Sequence, residues 1–148
     1  MKRFLIPFAC AMLLCISTAA WASLDGFMAN LNVQAQADLP GFKAKVSAQF
    51  GVPLPQVDMV FAKVAAPADV FMTFQLGQMT NKPAPVVLQS YQSNKGKGWG
   101  VIAKELGIKP GSAEVHALKR GDLRFTGQPG TAAEQPPGKG KGKGKGNR

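Results

Sequence analysis

The strongest constraint on folding is the way proline and glycine cut the chain into short stretches, each with apolar residues at helical spacing. Leu24, Phe27, Met28, Leu31 and Ala35 recur at i, i+3, i+4, i+7 and i+11, one stripe of an amphipathic helix. Asp38 and Pro40 interrupt, then Phe42, Val46 and Phe50 recur every fourth residue up to Gly51, a C-terminal cap. "VPLP" is expected to be a connector. Val57, Val60, Phe61 and Val64 form the next stripe. Pro67 ends it and starts a helix that buries Val70, Phe71 and Phe74. "TNKPAP" breaks again before Val87, Leu88 and Tyr91, and "SNKGKG" forms a loop.

Trp99, Ile102, Ala103 and Leu106 make the cleanest i, i+3, i+4, i+7 set in the chain, and Gly107 ends it. Ser112 is a good N-cap for a last helix that buries Val115 and Leu118 before Gly121 stops it. No strand-length stretch alternates with period two. The sequence therefore predicts an all-α body, a compact bundle of six or seven short helices crossing at steep angles.

Both ends differ from this body. Lys2 and Arg3 precede an apolar run from Phe4 to about Ile16, and Ala20-Trp21-Ala22 gives the small residues that a signal peptidase reads. The run from Phe4 to Ala20 holds Pro7, Ser17 and Thr18 and falls short of the ~20 apolar residues that span a bilayer. Residues 1–22 are expected to be a cleaved signal peptide, leaving no transmembrane segment and placing the mature chain in the periplasm or outside the cell. Cys10 and Cys15 leave with it, so no disulfide, thiol nucleophile or thiolate metal site is expected in the mature protein.

At the other end, residues 127–148 alternate glycine and lysine after Pro136-Pro137. Such a segment has no apolar surface to bury and is expected to be a disordered basic tail, leaving residues 23–126 as one domain. The chain carries a formal net charge of +10; loss of Lys2 and Arg3 leaves +8, shared equally between tail and body. Flexible positive charge of this kind attracts anionic polymers through counterion release. The candidate polyanion-binding residues are Lys95, Lys97, Lys139, Lys141, Lys143, Lys145 and Arg148. Their expected partners are envelope polysaccharide, lipid headgroups or nucleic acid.

"KGKGWGVIAKELGIKPGS" also has the look of half a helix-turn-helix, with Ala103 and Gly107 four apart. A DNA-binding protein with a misread N-terminus is thus the alternative function. However, "KPGS" delays the second helix, and Glu114 stands where a recognition helix offers Arg, Asn, Gln or Lys. The corner Trp99, Ile102, Leu106 and His116 is expected to be a packing or partner-docking corner. Trp99 is expected to plug the core, with Gly98 as a hinge. The competing reading makes Trp99, Tyr91, Lys95 and Lys97 an aromatic and basic ligand patch. The same stretch, "GKGWGVIAKELGIKPGSAEVHALKRGD", with the upstream "PADVFMTFQLGQMTNKPAPVVLQSYQ", resembles small exported, uncharacterised bacterial helical proteins. That resemblance implies a shared fold and export, and implies no catalytic residue.

Catalysis is not expected. His116 is the one histidine, predicted to be partly buried, and has no thiol or carboxylate cluster nearby in sequence. The serines Ser23, Ser47, Ser90, Ser93 and Ser112 lie in no nucleophile elbow. "GKGKGKG" lacks the spacing of a phosphate loop. Asp58 and Asp69 have no spacing that suggests an acid–base pair. Met28, Met59, Met72 and Met79 are expected to fill the core. No cofactor or metal is expected.

Overall fold

The structure, a computed structural model, describes residues 24–128. The proposed leader, Ser23 and the lysine-glycine repeat lie outside the described residues. Within them the chain is all-α, with seven helices and no strand: α1 (Leu24–Ala37), α2 (Leu39–Phe50), α3 (Leu54–Phe61), α4 (Pro67–Thr80), α5 (Ala84–Ser93), α6 (Trp99–Glu105) and α7 (Ala113–Arg120). No helix among them is long and apolar enough to cross a membrane.

Helix α4 is the axis of the fold. It packs against α1, α2, α3 and α5, while α6 joins α5 to α7 and α7 closes back on α1. Ala68, Val70, Phe71, Met72, Thr73 and Leu76 are wholly buried on α4, so this helix is enclosed on nearly all sides. An aromatic cluster surrounds Phe71. Phe27 and Phe50 meet its ring edge-on at 5.3 and 5.4 Å, and Phe50 stacks on Phe74 at 5.7 Å. Such pairs add about 0.5–1.5 kcal/mol each beyond their buried area.

The stops are local chemistry. Asp38 caps α2 through the Gly41 amide at 2.9 Å, and Gly51 ends that helix with φ +63°. Asn81 takes the same left-handed role after α4 at φ 53°. Ser112 caps α7 by accepting from the Val115 amide.

The sequence expectations need four corrections here. "VPLP" is not only a connector: Pro53 is the N-cap of α3, and Leu54 and Pro55 form its first turn, where a missing N–H costs nothing. Val64 lies beyond α3, because Pro67 forces Ala66 into an extended conformation (φ −140°, ψ 154°) and the chain must leave the helix first. Val64 still packs on the core. Met59 is 40% exposed and fills no core, whereas Met72 does.

The fourth correction concerns the chain after Gly121. Residues 122–127 form an irregular strap over α2. Phe125 packs on Phe42 at 5.0 Å and edge-on to Phe71 at 5.6 Å. The side-chain amide of Gln49 donates to the Arg124 carbonyl at 2.7 Å and accepts from the Thr126 and Gly127 amides at 3.0 and 3.2 Å. Gly127, assigned to the tail by composition, is thus held by the folded body.

Candidate functional site

The glycine-flanked tryptophan is where the fold converges. Gly98 takes φ +85°, a conformation that side chains resist, and turns the loop onto the start of α6. Trp99 is 6% exposed and Tyr91 8% exposed, their rings stacked 5.2 Å apart. Beneath them lies Asp69, which is buried. Its carboxylate accepts from the Trp99 indole N–H at 2.9 Å, the Tyr91 hydroxyl at 3.1 Å and the Ala66 amide at 3.1 Å. The Ala65 amide in turn donates to the Tyr91 hydroxyl at 3.2 Å. One carboxylate therefore ties α4, α5 and α6 together with every close donor satisfied, as a buried polar network requires. Burial, above all, pushes the Tyr91 hydroxyl above its ordinary pKa; the Ala65 amide opposes this, and the Asp69 charge and hydrogen bond add to it.

This arrangement overturns the aromatic ligand patch. With both rings buried and their polar atoms bound to Asp69, neither offers a face to a ligand. Trp99, Ile102 and Leu106 are all buried and form the packing corner. His116 is exposed, not partly buried: Val115 and Leu118 turn inward on α7, and His116 falls on the other side.

Asp58 and Asp69 serve different partners. Asp58 is on the surface, paired with Lys43 at 2.7 Å. Among the described residues no group of three His, Cys, Asp or Glu side chains is placed to hold a metal ion. A cavity of about 450 Å³ opens between α2, α4 and the start of α5, with Phe50, Phe74, Gln78, Asn81 and Lys82 on its walls. It gathers neutral amides and one lysine, with no acid–base pair.

No family model, curated protein or solved structure matches this chain.

Charge is unevenly distributed along the described chain. Residues 24–81 carry three lysines against four aspartates, one of them the buried Asp69. Residues 82–121 carry six lysines and one arginine against two glutamates. Lys95 and Lys97 are exposed in the loop before α6, Lys104 on α6 and Lys109 just after it. Among the described residues none of these four is within ion-pair distance of a carboxylate; the ion pairs are Lys43–Asp58 and Arg120–Asp122. Lys139, Lys141, Lys143, Lys145 and Arg148 lie outside the described residues.

The α6–α7 corner has a turn running from Leu106 to Ser112. Glu114 stands exposed in the first turn of α7, where its own backbone amide and then the Ser112 hydroxyl hold the carboxyl below its ordinary value. The cations of α7, Lys119 and Arg120, sit in its last turn. A helix with its negative end forward is poorly suited to a major groove.

Two features of the structure depend on partners distant in sequence. Asp69 was visible only as an acid in a first helical turn, because its partners lie 22 and 30 residues away. Gln49 occupies a core position of the Phe42, Val46 stripe, three residues after Val46, and a polar residue on an apolar stripe was the available signal.

Proposed function

We propose that this chain is an exported helical binding module that acts through positive charge, without catalysis, on anionic polymers of the cell envelope or on nucleic acid. The single observation that carries this reading is the concentration of lysine. Four lysines alternate with glycine at the C-terminus, and four more surround α6 without ion-pair partners among the described residues. The leader-like N-terminus supports export. The reading as a DNA-reading helix-turn-helix has no comparable support, given Glu114 at the front of α7.

The test is the salt dependence of binding to a polyanion such as heparin or duplex DNA. Replacing Lys139, Lys141, Lys143 and Lys145 by Gln in the full chain is expected to weaken binding. On duplex DNA it should also flatten the log–log salt slope by roughly 0.9 for each lysine that neutralises a phosphate. An unchanged affinity and slope would remove the tail from the function. Export is tested by the N-terminus of the protein recovered from cell fractions, expected at Ser23; an intact Met1 in the cytoplasm would remove it.

A further inference from the structure

The lysines around α6 belong to the folded body and stand on a corner tied to its centre. The inward side of α6, Trp99, Ile102, Ala103 and Leu106, is buried, and the Trp99–Asp69 hydrogen bond fixes the helix to α4. Its outward side shows Gly100, Val101 and Lys104, with Val101 43% exposed. Lys95 and Lys97 lead into it and Lys109 follows it. The carboxylate on this helix, Glu105, is engaged by the side-chain amide of Asn94, which itself donates to the Ser90 carbonyl. Val101 is thus an exposed apolar residue with Lys104 three positions on along the same helix, between the lysines that precede and follow α6.

We infer that this face of α6 docks on an anionic phospholipid surface, with Lys95, Lys97, Lys104 and Lys109 meeting headgroup phosphates and Val101 entering the interface. The inference rests on the proposal that the chain acts on anionic partners and gives the folded body a share in that binding. The residue types favour lipid over sequence-specific nucleic-acid reading. From Lys95 to Gly111 the chain has no arginine, asparagine or glutamine, so lysine is its one side chain of the kinds that read base edges bidentately. It has point charges and an exposed apolar residue, which suit a flat array of phosphates over hydrocarbon. Each lysine near such a surface strengthens binding about fivefold.

Co-sedimentation of the full chain with phosphatidylglycerol vesicles, against neutral phosphatidylcholine vesicles, tests this. The leader, with Lys2 and Arg3, is common to all forms, so the change in phosphatidylglycerol preference from one form to another is the quantity read. Three forms are compared: wild type, the face variant Lys97→Gln/Lys104→Gln/Lys109→Gln, and the form with its four tail lysines changed to Gln. The face variant is expected to lose on the order of a hundredfold of the preference, and the tail variant to keep the share the face supplies. Val101→Ser, which removes the apolar contact without adding charge, should reduce vesicle binding and leave binding to duplex DNA unchanged. A face variant that binds vesicles like wild type overturns the inference and leaves the tail reading standing. A wild type with no preference for phosphatidylglycerol overturns the inference; if it also ignores heparin and DNA, the charge-based function falls with it. Loss of DNA binding without loss of vesicle binding in the face variant assigns these lysines to nucleic acid and overturns the lipid assignment.

Discussion

The indole nitrogen of Trp99 donates to the Asp69 carboxylate at 2.9 Å, joining the first residue of α6 to the first turn of α4. Trp99→Phe keeps most of the apolar volume and removes that donor, so Asp69 is left with Tyr91 and Ala66. The expected loss is about 1–3 kcal/mol, that of a buried polar group missing one partner. Trp99→Ala adds a cavity and is expected to cost about 3–5 kcal/mol. Denaturant unfolding of both variants checks this. Equal stability of Trp99→Phe and wild type would show that the hydrogen bond contributes nothing net.

Tyr91 is the one tyrosine in the chain, so its ionisation can be followed directly by tyrosinate absorbance. Its folded-state pKa is raised above the ordinary 10.0, chiefly by burial. The folded state therefore holds the proton more tightly than the unfolded state. The resulting stabilisation is fully present below pH 10.0 and is lost as pH rises through the higher folded value. The expected titration midpoint lies above 10.0 in the folded protein and returns toward it in denaturant. Stability should fall on the alkaline side over the same range. A native midpoint at 10.0 would contradict the buried hydroxyl.

The parts of the fold that were legible in the sequence are those set by neighbours a few residues apart. Pro67 at the start of α4, Gly51 and Gly121 beyond α2 and α7, and Ser112 before α7 act through local backbone conformation, and the structure has each in the expected role. The Trp99, Ile102, Ala103, Leu106 stripe was equally clear, because one buried face imposes one period. Helix α4 was only partly legible. It is buried on nearly every side, so Asp69, Thr73 and Gly77 share its interior with Phe71 and Leu76 and blur the period. Thr73 is tolerated there because its hydroxyl bonds back to the Asp69 carbonyl at 2.8 Å. The strap was not legible at all: Leu123 and Phe125 are too few to set a period, and Gln49 lies some 75 residues earlier. Of the candidate binding residues, exposure of Lys95 and Lys97 followed from their charge. The exposure of His116 depended on which way α7 is turned.

Two glycines separate packing from backbone freedom. A Cβ at Gly77 would stand 2.8 Å from the Lys82 carbonyl oxygen, in the turn between α4 and α5. That oxygen belongs to the backbone and cannot swing away, so Gly77→Ala must open the turn. A Cβ at Gly100, inside α6, meets nothing within 4 Å. Gly77→Ala is expected to destabilise by about 1–3 kcal/mol, as overpacking does. Gly100→Ala is expected to stabilise by about 0.4–1 kcal/mol by restricting the unfolded chain. Thermal unfolding should move the two variants in opposite directions. A Gly77→Ala protein as stable as wild type would mean that the α4–α5 turn yields freely.

The strap depends on one side chain for its polar attachment to α2. Gln49 uses its carbonyl oxygen for two amides and its amide nitrogen for one carbonyl, so all three bonds disappear together in Gln49→Ala. Phe125 would remain against Phe42 and Phe71, and the strap would be held by apolar contact alone. Amide hydrogen exchange should separate these contributions. In Gln49→Ala the Thr126 and Gly127 amides should exchange much faster, while the α4 core amides change only by the global loss of about 1–2 kcal/mol. In Phe125→Ala the ring contacts go as well, and a larger global loss of about 3–5 kcal/mol is expected. Gln49→Glu keeps an oxygen for the two amides but turns a negative atom toward the Arg124 carbonyl. It should therefore restore only part of the protection. Full protection of Thr126 and Gly127 in Gln49→Ala would show that the aromatic contact alone seats the strap.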